Sequence, residues 1–118
     1  MEAEMKKLTL FLLLSITAMV FTQPVSVGDG KVEFSYSAPN ADAVYLSGGF
    51  NRWEPTATPM EMTKDGVWKI ILEFEPGIHQ YKFVVNGNNW VQDPKNPAGM
   101  DDNYGGLNSV FVLKADGS

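Results

Sequence analysis

Past Phe21 no segment of this 118-residue chain carries a helical period; apolar residues recur at every second position in short runs cut by Gly, Pro, Asn and Asp. Side chains of a strand alternate between its two faces, so such runs build half-buried β-strands and little else. Lys31-Val32-Glu33-Phe34-Ser35-Tyr36 places Val32, Phe34 and Tyr36 on one face. Pro39-Asn40-Ala41-Asp42 turns the chain into a strand over Ala43-Val44-Tyr45-Leu46-Ser47. Lys64-Asp65-Gly66 is a hairpin signal, after which Trp68, Ile70, Leu72 and Phe74 fall at period two. Glu75-Pro76-Gly77 turns again, and His79 to Val85 directs Tyr81, Phe83 and Val85 one way and Gln80, Lys82 and Val84 the other. Trp90-Val91-Gln92 reads as a short strand, Asp93 through Gly106 as one long loop rich in Pro, Gly and Asp, and Asn108 to Leu113 as the last strand. Roughly seven short strands in about ninety residues predict an all-β fold, an antiparallel β-sandwich of immunoglobulin-like kind.

The first two dozen residues follow another rule. Lys6-Lys7 precedes a run of mostly apolar residues from Leu8 to Phe21, a charged-then-apolar pattern that fits a secretory signal and is short for a membrane span. Residues 1–24 are therefore expected to be a signal peptide or N-terminal anchor, and residues 25–118 a single domain. That pattern predicts a secreted or periplasmic protein with no stable membrane association once the leader is cleaved. The net charge is −5 with no basic cluster past residue 7, which speaks against a nucleic-acid partner. The absence of cysteine rules out disulfides, thiolate metal sites and thiol catalysis together.

Candidate function rests on aromatic residues that the local sequence cannot bury. Trp53 ends Gly48-Gly49-Phe50-Asn51-Arg52-Trp53, and Trp90 ends Asn86-Gly87-Asn88-Asn89-Trp90. An indole beside Gly and Asn has little apolar company, whereas Trp68 shares strand parity with Ile70 and Leu72 and is expected in the core. A flat ring flanked by amide and ammonium donors suits a sugar, whose C–H face stacks on indole while its hydroxyl rim takes hydrogen bonds. Lys82 and Asn108 are candidate donors; each alone fits equally well on a solvated sheet face or at a strand start. Catalysis finds no support. Glycoside hydrolysis needs two facing carboxylates, and Asp93, Asp101 and Asp102 share one loop with no partner base. The single His79 follows a hairpin turn, and Asp101-Asp102-Asn103 lacks the spacing of a calcium loop. The expectation is a non-enzymatic protein with no catalytic residue, metal or cofactor.

Together, Val44-Tyr45-Leu46-Ser47-Gly48-Gly49-Phe50-Asn51-Arg52-Trp53, Gly77-Ile78-His79-Gln80-Tyr81-Lys82-Phe83-Val84-Val85-Asn86-Gly87, Trp90 with Asp93-Pro94, and Leu107-Asn108-Ser109-Val110 closely resemble carbohydrate-binding module family 48. Among well-known members it is similar to the glycogen-binding domains of AMP-activated protein kinase beta subunits, a resemblance that runs from about Val32 to Leu113. The resemblance implies an early-set immunoglobulin-like sandwich that binds α-1,4-glucans such as glycogen, starch or maltodextrin. By position it implies stacking by Trp53 and Trp90, hydrogen bonds from Lys82 and Asn108, and an apolar contact from Leu107. Arg52 stands where the kinase domains usually have Asn, and Gly106 where they often have Thr, departures that touch fine specificity. The leader is a further departure, since the kinase subunits are intracellular. Three other roles are open: a structural spacer packed against a glycoside hydrolase or esterase catalytic domain with little sugar binding of its own, a regulatory scaffold, and a module for another polysaccharide such as xylan.

Overall fold

A computed structural model describes residues 23–118. Among the described residues nine strands succeed one another: β1 (Val25–Gly28), β2 (Lys31–Ser37), β3 (Val44–Gly48), β4 (Glu61–Met62), β5 (Val67–Glu73), β6 (Gly77–Val85), β7 (Asn89–Val91), β8 (Gly99–Asp101) and β9 (Leu107–Leu113). A single 3-10 turn, Gly49–Asn51, follows β3, and the described residues hold no α-helix. One sheet runs β1-β2-β5-β4 and the other β3-β6-β9-β8, with β7 also paired to β6; every pairing is antiparallel. The described residues thus form an all-β, two-sheet sandwich.

The inner faces carry the residues that the alternation marked out. Val32 and Phe34 of β2 meet Leu46 of β3, Tyr81 and Phe83 of β6 and Leu113 of β9 in one buried cluster, with Tyr36 packed against it. Phe34 contacts Tyr81 edge-on at 5.0 Å between centroids, and Tyr36 stacks on Phe83 at 4.8 Å. Trp68 is buried there, and its indole N–H donates to the Ala38 carbonyl at 2.9 Å, which satisfies its one polar group. The Lys64-Asp65-Gly66 turn closes the β4–β5 hairpin through a Gly66 N–H bond to Thr63 O at 3.1 Å.

Three strands go beyond the sequence expectation. β1, β4 and β8 have four, two and three residues, each exposed along its whole length, so none carries the buried-and-exposed alternation by which strands are read. β8 corrects the reading of residues 93–106 as one loop: Gly99, Met100 and Asp101 pair with Ser109, Asn108 and Leu107. The expected leader, residues 1–24, lies outside the described residues apart from Gln23 and Pro24, and no helix among the described residues is long and apolar enough to cross a membrane.

Candidate functional site

The outer face of the second sheet is where the polar half of β6 emerges. Lys82 lies opposite Ser47 of β3, and Val84 lies opposite Trp90 of β7. Directly opposed residues of antiparallel strands share a face, so Trp90 projects on the same side as Gln80, Lys82 and Val84. Ser109 opposes the core residue Tyr81, which sends its neighbour Asn108 to the outer face as well. Gln80, Lys82, Trp90 and Asn108, from three strands, are thereby brought to one surface, while Val84 on the same face is fully buried.

Trp53 arrives from a turn built for it. Asn51 accepts from the Gly48 N–H at 3.1 Å and donates through Nδ2 to the Leu46 carbonyl and the Thr58 hydroxyl, both at 3.0 Å. The Trp53 N–H closes the turn on Gly48 O at 2.9 Å. Arg52 and Trp53 both take the left-handed region, with φ of 61° and 58°. A bulky residue there is strained, and the strain persists because the surrounding bonds over-determine it. Gly48 is the close approach that lets the turn pack on β6, since a β-carbon would collide with the Gln80 carbonyl and the Phe50 ring.

The third wall is the loop between β8 and β9. Asp102 Oδ1 accepts from the Tyr104 N–H at 2.7 Å and the Gly106 N–H at 3.0 Å, while Oδ2 accepts from Lys82 Nζ at 2.8 Å. These bonds, the one from Lys82 foremost, hold the Asp102 carboxyl down at about 2. Tyr104 rides on the loop with 92% of its surface exposed.

Turn, sheet face and loop enclose a groove of about 700 Å³ lined by Trp53, Gln80, Lys82, Trp90, Asp101, Asp102, Asn103, Tyr104 and Asn108. Four residues singled out from sequence, Trp53, Lys82, Trp90 and Asn108, line it together. Trp90 is 41% exposed and Trp53 half-buried, so both rings offer surface. Leu107 is exposed at the head of β9 but outside the lining, so a contact from it needs a ligand that overhangs the groove. Gln80 and Tyr104 are the residues that sequence reasoning passed over. Gln80 Oε1 accepts from Asn108 Nδ2 at 3.0 Å, which orients both amides. Tyr104, between Asn103 and Gly105, carries the same signal as the tryptophans, an aromatic residue with no apolar neighbours, and could have been found by it.

Asp93, grouped by sequence with the loop acids, is elsewhere. It is 2% exposed and accepts from the Tyr81 hydroxyl at 2.6 Å and the Lys95 N–H at 2.9 Å. Asn96 donates to the Tyr81 hydroxyl and the Val110 carbonyl, and Ser109 accepts from the Asp93 N–H. Desolvation raises the Asp93 carboxyl and, together with the Asp93 charge, the Tyr81 phenol. This network pins the chain that leaves β7. Among the described residues no cluster of His, Cys, Asp and Glu could hold a metal ion.

Comparison with known proteins matches residues 31–117 to the family described as the glycogen recognition site of AMP-activated protein kinase. The chain is 36% identical over 66 residues to the 1,4-alpha-glucan branching enzyme GlgB of Aquifex aeolicus, a match covering 54% of this chain and 10% of the enzyme. It is 37% identical over 71 residues to 5'-AMP-activated protein kinase subunit beta-1 of Sus scrofa, covering 60% of this chain and 54% of that sequence. Against subunit beta-2 of Homo sapiens it is again 37% identical over 71 residues, covering 60% of this chain and 25% of the subunit. The chain therefore spans from a tenth to about half of the length of these relatives.

Proposed function

Because this chain belongs to the family of glycogen recognition sites of AMP-activated protein kinase, we propose that it is a non-catalytic module that docks on α-1,4-glucans through the groove on its second sheet. The observation that carries this reading is the convergence of Trp53, Trp90, Lys82 and Asn108, from four separate elements, on one surface. Trp53 and Trp90 stack on glucose rings of one chain; Lys82, Asn108 and Gln80 donate to or accept from hydroxyls along the groove floor; Tyr104 adds a third ring at the lip. Leu107 touches only a chain long enough to pass the β9 end. The early-set immunoglobulin-like assignment of the sandwich and export by residues 1–24 belong to the same proposal.

Affinity follows from the small number of contacts. Each aromatic stack contributes about 0.5–1.5 kcal/mol beyond area burial, and association entropy opposes the sum. The dissociation constant for a short maltooligosaccharide is then of order micromolar to millimolar. Replacing Trp53 and Trp90 together by Ala is expected to abolish retardation in a glycogen-containing native gel and leave thermal unfolding nearly unchanged. Undiminished retardation by that variant overturns the site.

A second reading, a spacer packed on a glycoside hydrolase, is favoured by the branching-enzyme relative and by Ile78 and Val112. These are cross-strand partners on the second sheet and 65% and 63% exposed. A module that fails to bind maltoheptaose but co-purifies with a hydrolase from its own source would replace the first reading by this one.

A further inference from the structure

Among the described residues Lys82 is the only cation lining the groove, and its charge is already engaged. We propose that Asp102 is a positioning residue that sets the groove's charge selectivity: by holding Lys82 in an ion pair it withholds that cation, so uncharged α-glucan is accepted and anionic glycan is turned away. The proposal rests on the glucan reading and adds to it which glucans are refused.

The geometry gives the ion pair little freedom to open. The Lys82 and Asp102 side chains are only 16% and 10% exposed, and their atoms lie 2.8 Å apart. Asp102 cannot swing toward solvent without also releasing the amides of Tyr104 and Gly106 from its other oxygen. A β-carbon on Gly106 would stand 3.0 Å from Asp102 Oδ2, so the glycine keeps open the space that the carboxylate uses. With Lys82 at +1 and Asp101 and Asp102 at −2, the lining sums to −1. The whole chain at −5 adds a field of the same sign. A neutral pyranose is indifferent to that field and still finds the remaining ammonium hydrogens of Lys82 as hydroxyl donors. A carboxylate or phosphate on the sugar meets net repulsion.

The test uses the full chain and three cyclodextrins of one ring size: β-cyclodextrin, its neutral hydroxypropyl derivative as a control for bulk, and its anionic carboxymethyl derivative. Wild type is expected to bind the two neutral rings and to bind the anionic one more weakly. Asp102→Asn keeps an acceptor for the loop amides and removes the countercharge. It should raise the affinity for the carboxymethyl ring relative to the hydroxypropyl ring by about two- to fivefold at low salt, and the gain should fade in about 0.5 M salt. Adding Lys82→Met to that variant should erase the gain, since the lysine is what Asp102 withholds. An unchanged ratio in Asp102→Asn, or a gain that survives loss of Lys82, overturns the proposal and leaves glucan binding intact. Failure of wild type to bind β-cyclodextrin at all overturns the glucan reading, and the proposal with it.

Discussion

Asn51 does more for the site than any residue that would touch a ligand. Its side chain makes three of the bonds that close the turn carrying Trp53, and no other residue type of that size both donates and accepts there. Asn51→Ala is expected to lower stability by about 1–3 kcal/mol, because buried partners lose their bonds. It should weaken glycogen retardation as well, since the left-handed conformation of Arg52 and Trp53 loses its support; a urea melt and a native gel read the two effects separately. Tyr104 is the opposite case. Nothing in the fold depends on its exposed ring, so Tyr104→Ala should leave the melting temperature unchanged while reducing maltoheptaose affinity about two- to tenfold, the worth of one aromatic stack. An unaltered titration would remove Tyr104 from the site.

Between residue and fold, β6 is the element on which the rest is organised. It pairs with β3, β7 and β9 and faces two environments at once, with Tyr81 and Phe83 in the core and Lys82 in the groove. Tyr81 also reaches past the core to Asp93, so β6 anchors the segment after β7. Tyr81→Phe leaves the buried Asp93 carboxylate short of a donor and should cost about 1–3 kcal/mol in chemical denaturation. The β8–β9 loop has its own signature in pH. The folded Asp102 carboxyl lies below its ordinary value of 3.8, so the pairing contributes fully above about pH 4 and is lost as pH falls toward about 2. Maltoheptaose affinity of the folded protein is expected to be level from neutrality through about pH 4 on this account and to fall only as the pH approaches about 2. A break near pH 6 would point to another group. Asp93, raised by burial, acts with the opposite sign: its contribution is present below its unfolded value and lost as pH rises through the folded one.

For the whole molecule, every residue of the buried cluster found among the described residues lies between Val32 and Leu113, within the span matched to the glycogen-recognition family. On the proposal that residues 1–24 serve export, a chain beginning at Gln23 is expected to melt at the temperature of the full chain and to be retarded equally by glycogen; a lower melting temperature would overturn that role for them. The two-sheet architecture was legible in the sequence because alternation is a local property: Phe34, Trp68, Tyr81 and Phe83 declare their faces by parity alone. The exposed character of Trp90 was legible for the same reason, as its neighbours offer nothing to bury it. The strands β1, β4 and β8 were not, since their formation rests on backbone pairing with longer partners rather than on their own side chains. Nor could the sequence separate Asp93 from Asp102, nine residues apart in a stretch that reads as one loop; only the folded chain sends the first under the sheet to Tyr81 and the second, past β8, across the groove to Lys82. Side-chain period determines which face of a strand meets water. The pairing of distant strands, which no local pattern encodes, decides which of those faces come together as a site.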